Sequence, residues 1–246
     1  MGPEILVVQI FHPMEAAEDV LRAYRDFMAA APDEVGCYAL IVRVPPVAPF
    51  PEPFHGRCAL ALVGCHSGSV DTGREAFEPL SGIGDPVLNA VQPMPYASLQ
   101  SAFDAGYPDG ERYYGKSCYF AELSDDAIAS LVQGADPLAG SYTGVFLEGM
   151  GGAINRKDPG ATAFPHRNGT FNLGITTGWN DADRDEEMIE WTRGLYETMA
   201  PHGTGGVYVN YLDHDERDRI PNAYGENYQR LKKLKEKWDP DGILGG

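Results

Sequence analysis

Apolar runs recur along the chain, each of strand length and none approaching the length that crosses a bilayer. Residues 5–11, 37–44, 57–66, 111–120 and 141–147 are such runs, rich in Val, Ile, Leu, Tyr and Phe. Between them the period changes to that of a helix. Val20, Leu21, Tyr24, Phe27 and Met28 fall on one face, and Pro32 ends that helix. Further helices are expected over residues 71–80 and 96–104, with a Pro- and Gly-rich connection between them. Ser124 is a good N-cap for a helix to about residue 132, with Asp125 and Asp126 complementing its dipole. A long helix over 183–199 carries Met188, Thr192, Leu195 and Met199 in one stripe, and a last one over 224–238 aligns Tyr224, Tyr228, Leu231, Leu234 and Trp238. Residues 161–167 and 170–179 flank Asn168-Gly169, a pair that supplies the positive φ of a two-residue β-hairpin turn. Residues 206–212 read as one more short strand.

Hairpin-type connections and the irregular order of elements point to an α+β fold. Its mostly antiparallel sheet has about seven strands, with helices covering one face. The linker over 45–53 has five prolines and cannot join a central ladder, so it is expected as a loop, bordering a site or packed on the sheet.

Several function classes are disfavoured. With 19 basic and 36 acidic residues the chain carries a net charge of −17, which repels nucleic-acid phosphates and anionic lipid. The one basic run, 230–237, is interleaved with Leu231 and Leu234 and reads as a helix's solvated face. The four cysteines, Cys37, Cys58, Cys65 and Cys118, form no CxxC pair and have no His at zinc-ligand spacing, so neither a disulfide framework nor a metal site is expected. Cys58 and Cys65 alternate with apolar residues and are expected as small buried strand residues. His214 between Asp213 and Asp215 is read as a charged loop. No strand-to-helix turn has the dinucleotide fingerprint, and Gly149-Met-Gly-Gly152 is not followed by a helix. With no secretory pattern at Met1-Gly-Pro-Glu4, a reducing cytoplasm is the expected compartment.

The residues that could carry chemistry cluster near the C-terminus, in Gly206-Val-Tyr-Val-Asn-Tyr-Leu-Asp213. A tyrosine acts as a base only if its pKa, about 10, is lowered or its proton leaves in concert with the reaction. From residue type alone, ordinary strand aromatics are the better explanation of the cluster.

Val207-Tyr-Val-Asn-Tyr-Leu212 and Ala223-Tyr-Gly-Glu-Asn-Tyr-Gln-Arg-Leu-Lys-Lys-Leu-Lys-Glu-Lys-Trp-Asp-Pro240 resemble the C-terminal signature of berberine-bridge-like flavin oxidases, of the vanillyl-alcohol-oxidase superfamily. Further matching segments are Gly2-Pro-Glu4, Tyr24-Arg-Asp-Phe27, Ala31-Pro-Asp-Glu34, Pro93-Met-Pro-Tyr96, Arg112-Tyr-Tyr-Gly-Lys-Ser117, Gly151-Gly-Ala153 and Ala161-Thr-Ala-Phe-Pro-His-Arg167. They span residues 1–246 in order, with the berberine-bridge-like segment over about 205–246, and resemble bacterial-type members that oxidise sugars, polyketides or other alcohols. The resemblance implies a single substrate-binding domain whose sheet roofs the flavin, without the N-terminal FAD-binding domain. FAD would then be held only with an FAD-domain protein acting in trans; a truncated or remnant domain would instead cover its orphaned face with a second copy of the chain. A non-redox protein that binds small molecules is the alternative.

By the same resemblance Tyr211 takes the catalytic position, drawing a proton from a substrate hydroxyl. Tyr208 and Asn210 line the flavin, and Asn172, Tyr114 and Lys116 face the substrate. Strand alternation, however, puts Tyr208 and Asn210 opposite Tyr211, unless the strand ends or bulges there. The strand position that supplies a second acid/base group in several members holds Asn172 or Gly174, neither of which is a base.

Overall fold

The computed structural model describes residues 4–243. Gly2 and Pro3 of the first matched segment lie outside the described residues, as do residues 244–246. Strand β1 (Glu4–Pro13) turns Leu6, Val8 and Ile10 into the main core and Ile5 and Val7 to the other side, as the two-residue period requires. It sits between β3 (Cys58–His66) and β4 (Leu88–Pro95); with β2 (Val35–Arg43), β5 (Arg112–Phe120), β6 (Gly144–Gly149) and β7 (Phe171–Trp179), the sheet order is β4-β1-β3-β2-β6-β7-β5. Every pairing is antiparallel.

The helices are α1 (Ala17–Ala30), α2 (Val70–Ser81), α3 (Tyr96–Gln100), α4 (Asp125–Ala135), α5 (Asp185–Met199), α6 (Ile220–Tyr224) and α7 (Tyr228–Trp238). α1, α2, α4 and α5 cover one face. Val20, Leu21, Phe77, Ile128 and Leu195 pack there against Ile41, Leu62, Leu147 and Leu173 of the sheet. Met188, Thr192, Leu195 and Met199 are the buried stripe of α5, and Ser124 caps α4 by accepting a hydrogen bond from the Ala127 amide. Tyr24 is fully buried, and its hydroxyl donates to the carbonyl oxygens of Cys37 at 2.7 Å and Leu147 at 3.2 Å, fixing α1 on the sheet.

Several expectations change. Residues 161–167 form no strand, and neither Asn168 nor Gly169 has a positive φ. Pro165 cannot donate to a ladder, and the segment lies across the sheet instead, Phe164 and His166 packing on Tyr119. β7 therefore pairs with β5 and β6. Residues 88–95, expected as a connection, form β4; its prolines are tolerated because it is an edge strand. The last helix is broken at Gly225, whose φ of +48° suits glycine. α7 buries no residue, leaving Leu234 42% and Trp238 69% exposed. Cys58 and Cys65 are half-buried in β3, while Cys37 and Cys118 are buried; all four are free thiols. Among the described residues no helix is long and apolar enough to cross a membrane.

Candidate functional site

The sheet face turned away from the helices is open, and its register builds the site. Tyr38 on β2 pairs with Glu148 on β6, Glu148 with Asn172 on β7, and Asn172 with Tyr119 on β5. One row of polar and aromatic side chains thus crosses four strands. The next row is Leu40, Phe146, Gly174 and Ser117. A Cβ on Gly174 would lie about 2.2 Å from the Phe146 ring, so glycine at this position seats that ring.

Over these rows lies the 207–212 segment. It is a 3-10 turn (Val209–Tyr211), not the expected strand. Tightening the backbone from a two-residue to a three-residue repeat brings Tyr208 and Tyr211 together. Their rings meet edge to face at 5.1 Å, and the Asn210 amide donates to the Tyr208 hydroxyl at 3.0 Å. The conflict set by strand alternation disappears. Tyr211 also packs edge-on against Phe146 at 5.8 Å.

The Tyr211 hydroxyl donates to Glu148 Oε1 at 2.8 Å, and the Asn172 amide donates to Glu148 Oε2 at 2.6 Å. Both carboxylate oxygens are therefore fixed. Asn172 is buried, and its Oδ1 has no protein partner among the described residues; nor does Ser117 Oγ. Burial, and then the nearby Glu148 charge, push the Tyr211 phenol well above its ordinary range. The tyrosine is a neutral phenol at physiological pH, and Glu148 is the group beside it able to accept a proton. Sequence reading missed Glu148 because its partners come from β7 and the 209–211 turn. The available signal was β6 alternation, which puts Phe146 and Glu148 on the face opposite buried Val145 and Leu147.

The side chains of Tyr114 and Lys116 are not turned to this face, although Lys116 also lines the small recess beside Tyr211. They point off β5 on the helix side. The Tyr114 hydroxyl donates to Asp215 Oδ2 at 2.7 Å, and Lys116 Nζ lies 3.1 Å from Asp215 and 3.2 Å from Glu216. Arg193 of α5 also reaches Asp215, at 2.7 Å. Burial opposes the Asp215 charge, but the Tyr114, Arg193 and Lys116 hydrogen bonds overcome it and hold that carboxyl well below the usual range. The cluster clamps residues 213–219 around the β5 edge, immediately after the turn that carries Tyr211.

Tyr24, Tyr119 and Tyr211 all have phenols raised by burial. In the unfolded chain they ionise near pH 10. The folded state holds these protons more tightly, so its advantage is intact below about pH 10 and falls as pH rises further. The urea midpoint is expected to begin falling above about pH 8.5, where the thiols of Cys37 and Cys118, likewise raised by burial, ionise in the unfolded chain, and to drop further by about pH 11 as the phenols follow; an unchanged midpoint at about pH 11 would contradict the burial of these groups.

Three recesses open on this face. One of about 170 Å³ is lined by Phe146, Gly174, Asn210 and Tyr211. One of about 640 Å³ runs past Tyr38, Tyr119, Glu148, Arg167 and Tyr208. A third, of about 390 Å³, lies beneath α3. Among the described residues no group of three His, Cys, Asp or Glu side chains could hold a metal ion.

Fold and site together define an α+β domain presenting a hydrogen-bonded Tyr–Glu pair on an open sheet face. Residues 207–244 match the family model described as berberine and berberine like. An FAD-linked oxidoreductase of Bacillus subtilis, YvdP, is 24% identical over 97% of this chain and 52% of its own length. The tobacco (Nicotiana tabacum) berberine bridge enzyme-like C-1 is 37% identical over 54% of this chain and 31% of its length. The solved structure of Physcomitrella patens BBE-like 1 superposes with a TM-score of 0.79 at 18% identity, covering 97% of this chain and 52% of that one. The chain thus spans about half, or less, of the length of these proteins. The chain is similar over most of its length to berberine-bridge-enzyme-like FAD-linked oxidoreductases, and residues 207–244 carry their C-terminal segment.

The open face fits part of a flavin. Tyr38 is 42% exposed and Tyr208 half-buried, offering flat aromatic surface, and the exposed Asn210 amide suits a ring edge of alternating donors and acceptors. No strand-to-helix junction among the described residues carries the glycine-rich turn that cradles a pyrophosphate. The fit is to the ring and not to the phosphates.

Proposed function

We propose that the chain forms the substrate-side half of an FAD-dependent oxidoreductase that oxidises a hydroxyl group of a small molecule, completed by an FAD-binding domain that docks on the open face. The observation that carries this reading is the Glu148 carboxylate fixed between Tyr211 and Asn172. Tyr211, kept as a phenol, acts as a relay. The substrate hydroxyl donates to the Tyr211 oxygen while the phenolic proton moves to Glu148 Oε1. Positioned transfer of this kind contributes about 10²–10⁴ in rate. The Asn172 amide holds the second carboxylate oxygen, so the accepting lone pair stays aimed at Tyr211. Tyr208 and Asn210 border the flavin ring, and when bound the flavin supplies the hydride acceptor. Tyr114 and Lys116 act at one remove, through the clamp on residues 213–219. The exposed Leu234 and Trp238 of α7 support docking of a further domain, since apolar side chains on one helix face are covered in a finished assembly.

The test is to combine the chain with an FAD-loaded FAD-binding domain from a family relative, supplied in trans, and follow peroxide formation from a panel of alcohols. Turnover that requires both parts is the expected result. A chain that neither binds the FAD-loaded domain nor adds turnover to it would overturn the reading.

A further inference from the structure

Asn168-Gly169 makes no hairpin turn, and its surroundings leave it chemically open. Asn168 is exposed, and its side-chain amide has no hydrogen-bond partner among the described residues. The peptide that joins the pair is also unsecured: among the described residues neither the Asn168 carbonyl nor the Gly169 amide is hydrogen-bonded. The chain is held on both sides of it. The Arg167 amide donates to the Pro165 carbonyl at 2.8 Å, and the Thr170 amide donates to the Phe120 carbonyl at 2.7 Å. The Gly169 carbonyl accepts from the Asn155 side-chain amide at 2.7 Å. One unbonded peptide thus lies between bonded ones, just before β7.

Glycine after asparagine matters because it puts no Cβ beside its own nitrogen and lets the backbone swing toward the neighbouring side chain. Every other asparagine of the chain precedes a residue that has a side chain. Asn155, Asn172 and Asn227 also commit their side-chain nitrogens to hydrogen bonds. Gly169 is buried, but the carbonyl that would react with its nitrogen belongs to the preceding residue and reaches it along the chain.

We propose that Asn168 is a site of spontaneous modification, deamidating through a cyclic imide with Gly169. The Gly169 nitrogen, once deprotonated, attacks Asn168 Cγ. A carbon–nitrogen bond forms, and the side-chain nitrogen leaves as ammonia. Water then opens the imide at either carbonyl. One opening gives aspartate and the other isoaspartate, whose main chain runs through the former side chain and carries an extra carbon. Either product adds a negative charge next to Arg167. The second also lengthens the chain between Arg167 and Thr170, directly ahead of the strand whose Asn172 holds Glu148.

The experiment ages the full chain in mildly alkaline buffer over weeks and maps it peptide by peptide by mass spectrometry. A carboxyl methyltransferase specific for isoaspartate identifies that product. The comparisons are Gly169→Ala and a synthetic peptide spanning residues 164–171. In Gly169→Ala the added Cβ would lie 3.5 Å from the Tyr119 ring, an ordinary contact, at a φ that is not positive, so the fold is kept. Asn168 is expected to convert faster than any other asparagine, at a rate within about ten-fold of the synthetic peptide's, and Gly169→Ala to slow it by at least about ten-fold. Isoaspartate is expected at position 168, and conversion is expected to slow in mildly acidic buffer, where less of the attacking nitrogen is deprotonated. Asn168 left intact while the synthetic peptide converts, or converting at the parent rate in Gly169→Ala, would overturn the proposal.

Discussion

Replacing Glu148 by Gln in the FAD-completed protein is expected to lower kcat by about 10²–10⁴, with KM changed little. The substitution keeps the shape and can still hydrogen-bond Tyr211 and Asn172, so the fold is retained. What it removes is the proton acceptor. Tyr211→Phe is expected to fall in the same range, because the relay loses its first member. A burial-raised phenol cannot replace the carboxylate by ionising itself. Steady-state kinetics on an alcohol series, with thermal melts of each variant alongside, separates this from a packing effect. A melting temperature that falls while kcat holds would assign the pair to structure alone.

The largest effect on stability is expected at Lys116. Its side chain is 7% exposed and faces Glu216, which is 4% exposed, and Asp215, which is 28% exposed. Lys116→Met keeps most of the volume but leaves Glu216 with Arg219 as its remaining cation and Asp215 with Arg193. Each carboxylate keeps one cation, so the loss is expected below the about 3–5 kcal/mol of an uncompensated buried charge, on the order of 1–3 kcal/mol. Urea unfolding of the chain reads this directly. Lys116→Arg, which keeps the charge, is expected to recover part of the loss, and the parent midpoint in Lys116→Met would show the clamp to be dispensable. Because the clamp holds residues 213–219, the same variant is expected to lower turnover with Tyr211 still in place.

Elements that depend on local spacing were legible in the sequence. The α5 stripe from Met188 to Met199 and the Ser124 cap follow from a 3.6-residue repeat and one N-terminal oxygen, and neither needs a distant partner. The hairpin at Asn168-Gly169 was a local signal overruled by Pro165 and by the packing of Phe164 and His166 on Tyr119. At the site, family likeness pointed to Tyr211, Tyr208 and Asn210, and the 209–211 turn placed them on one side. Glu148 was not legible. A single acidic residue near the end of Gly144–Gly149 resembles any solvated strand residue until β6 is paired with β7. The same holds for Lys116, whose partners lie 99 and 100 positions further along the chain. Both depend on pairings that no local pattern encodes.

The most direct test of the Tyr211–Glu148 pair as one proton-accepting unit is a double-mutant cycle on anaerobic bleaching of the flavin absorbance. Parent, Tyr211→Phe, Glu148→Gln and the double variant, each completed with the FAD-binding domain, are mixed with a substrate alcohol in a stopped-flow instrument. The pair acting as a relay predicts that each single variant slows bleaching by about 10²–10⁴ and that the double variant is slower than either by less than about five-fold. Fully additive losses, or a Glu148→Gln protein that bleaches at the parent rate, would contradict it.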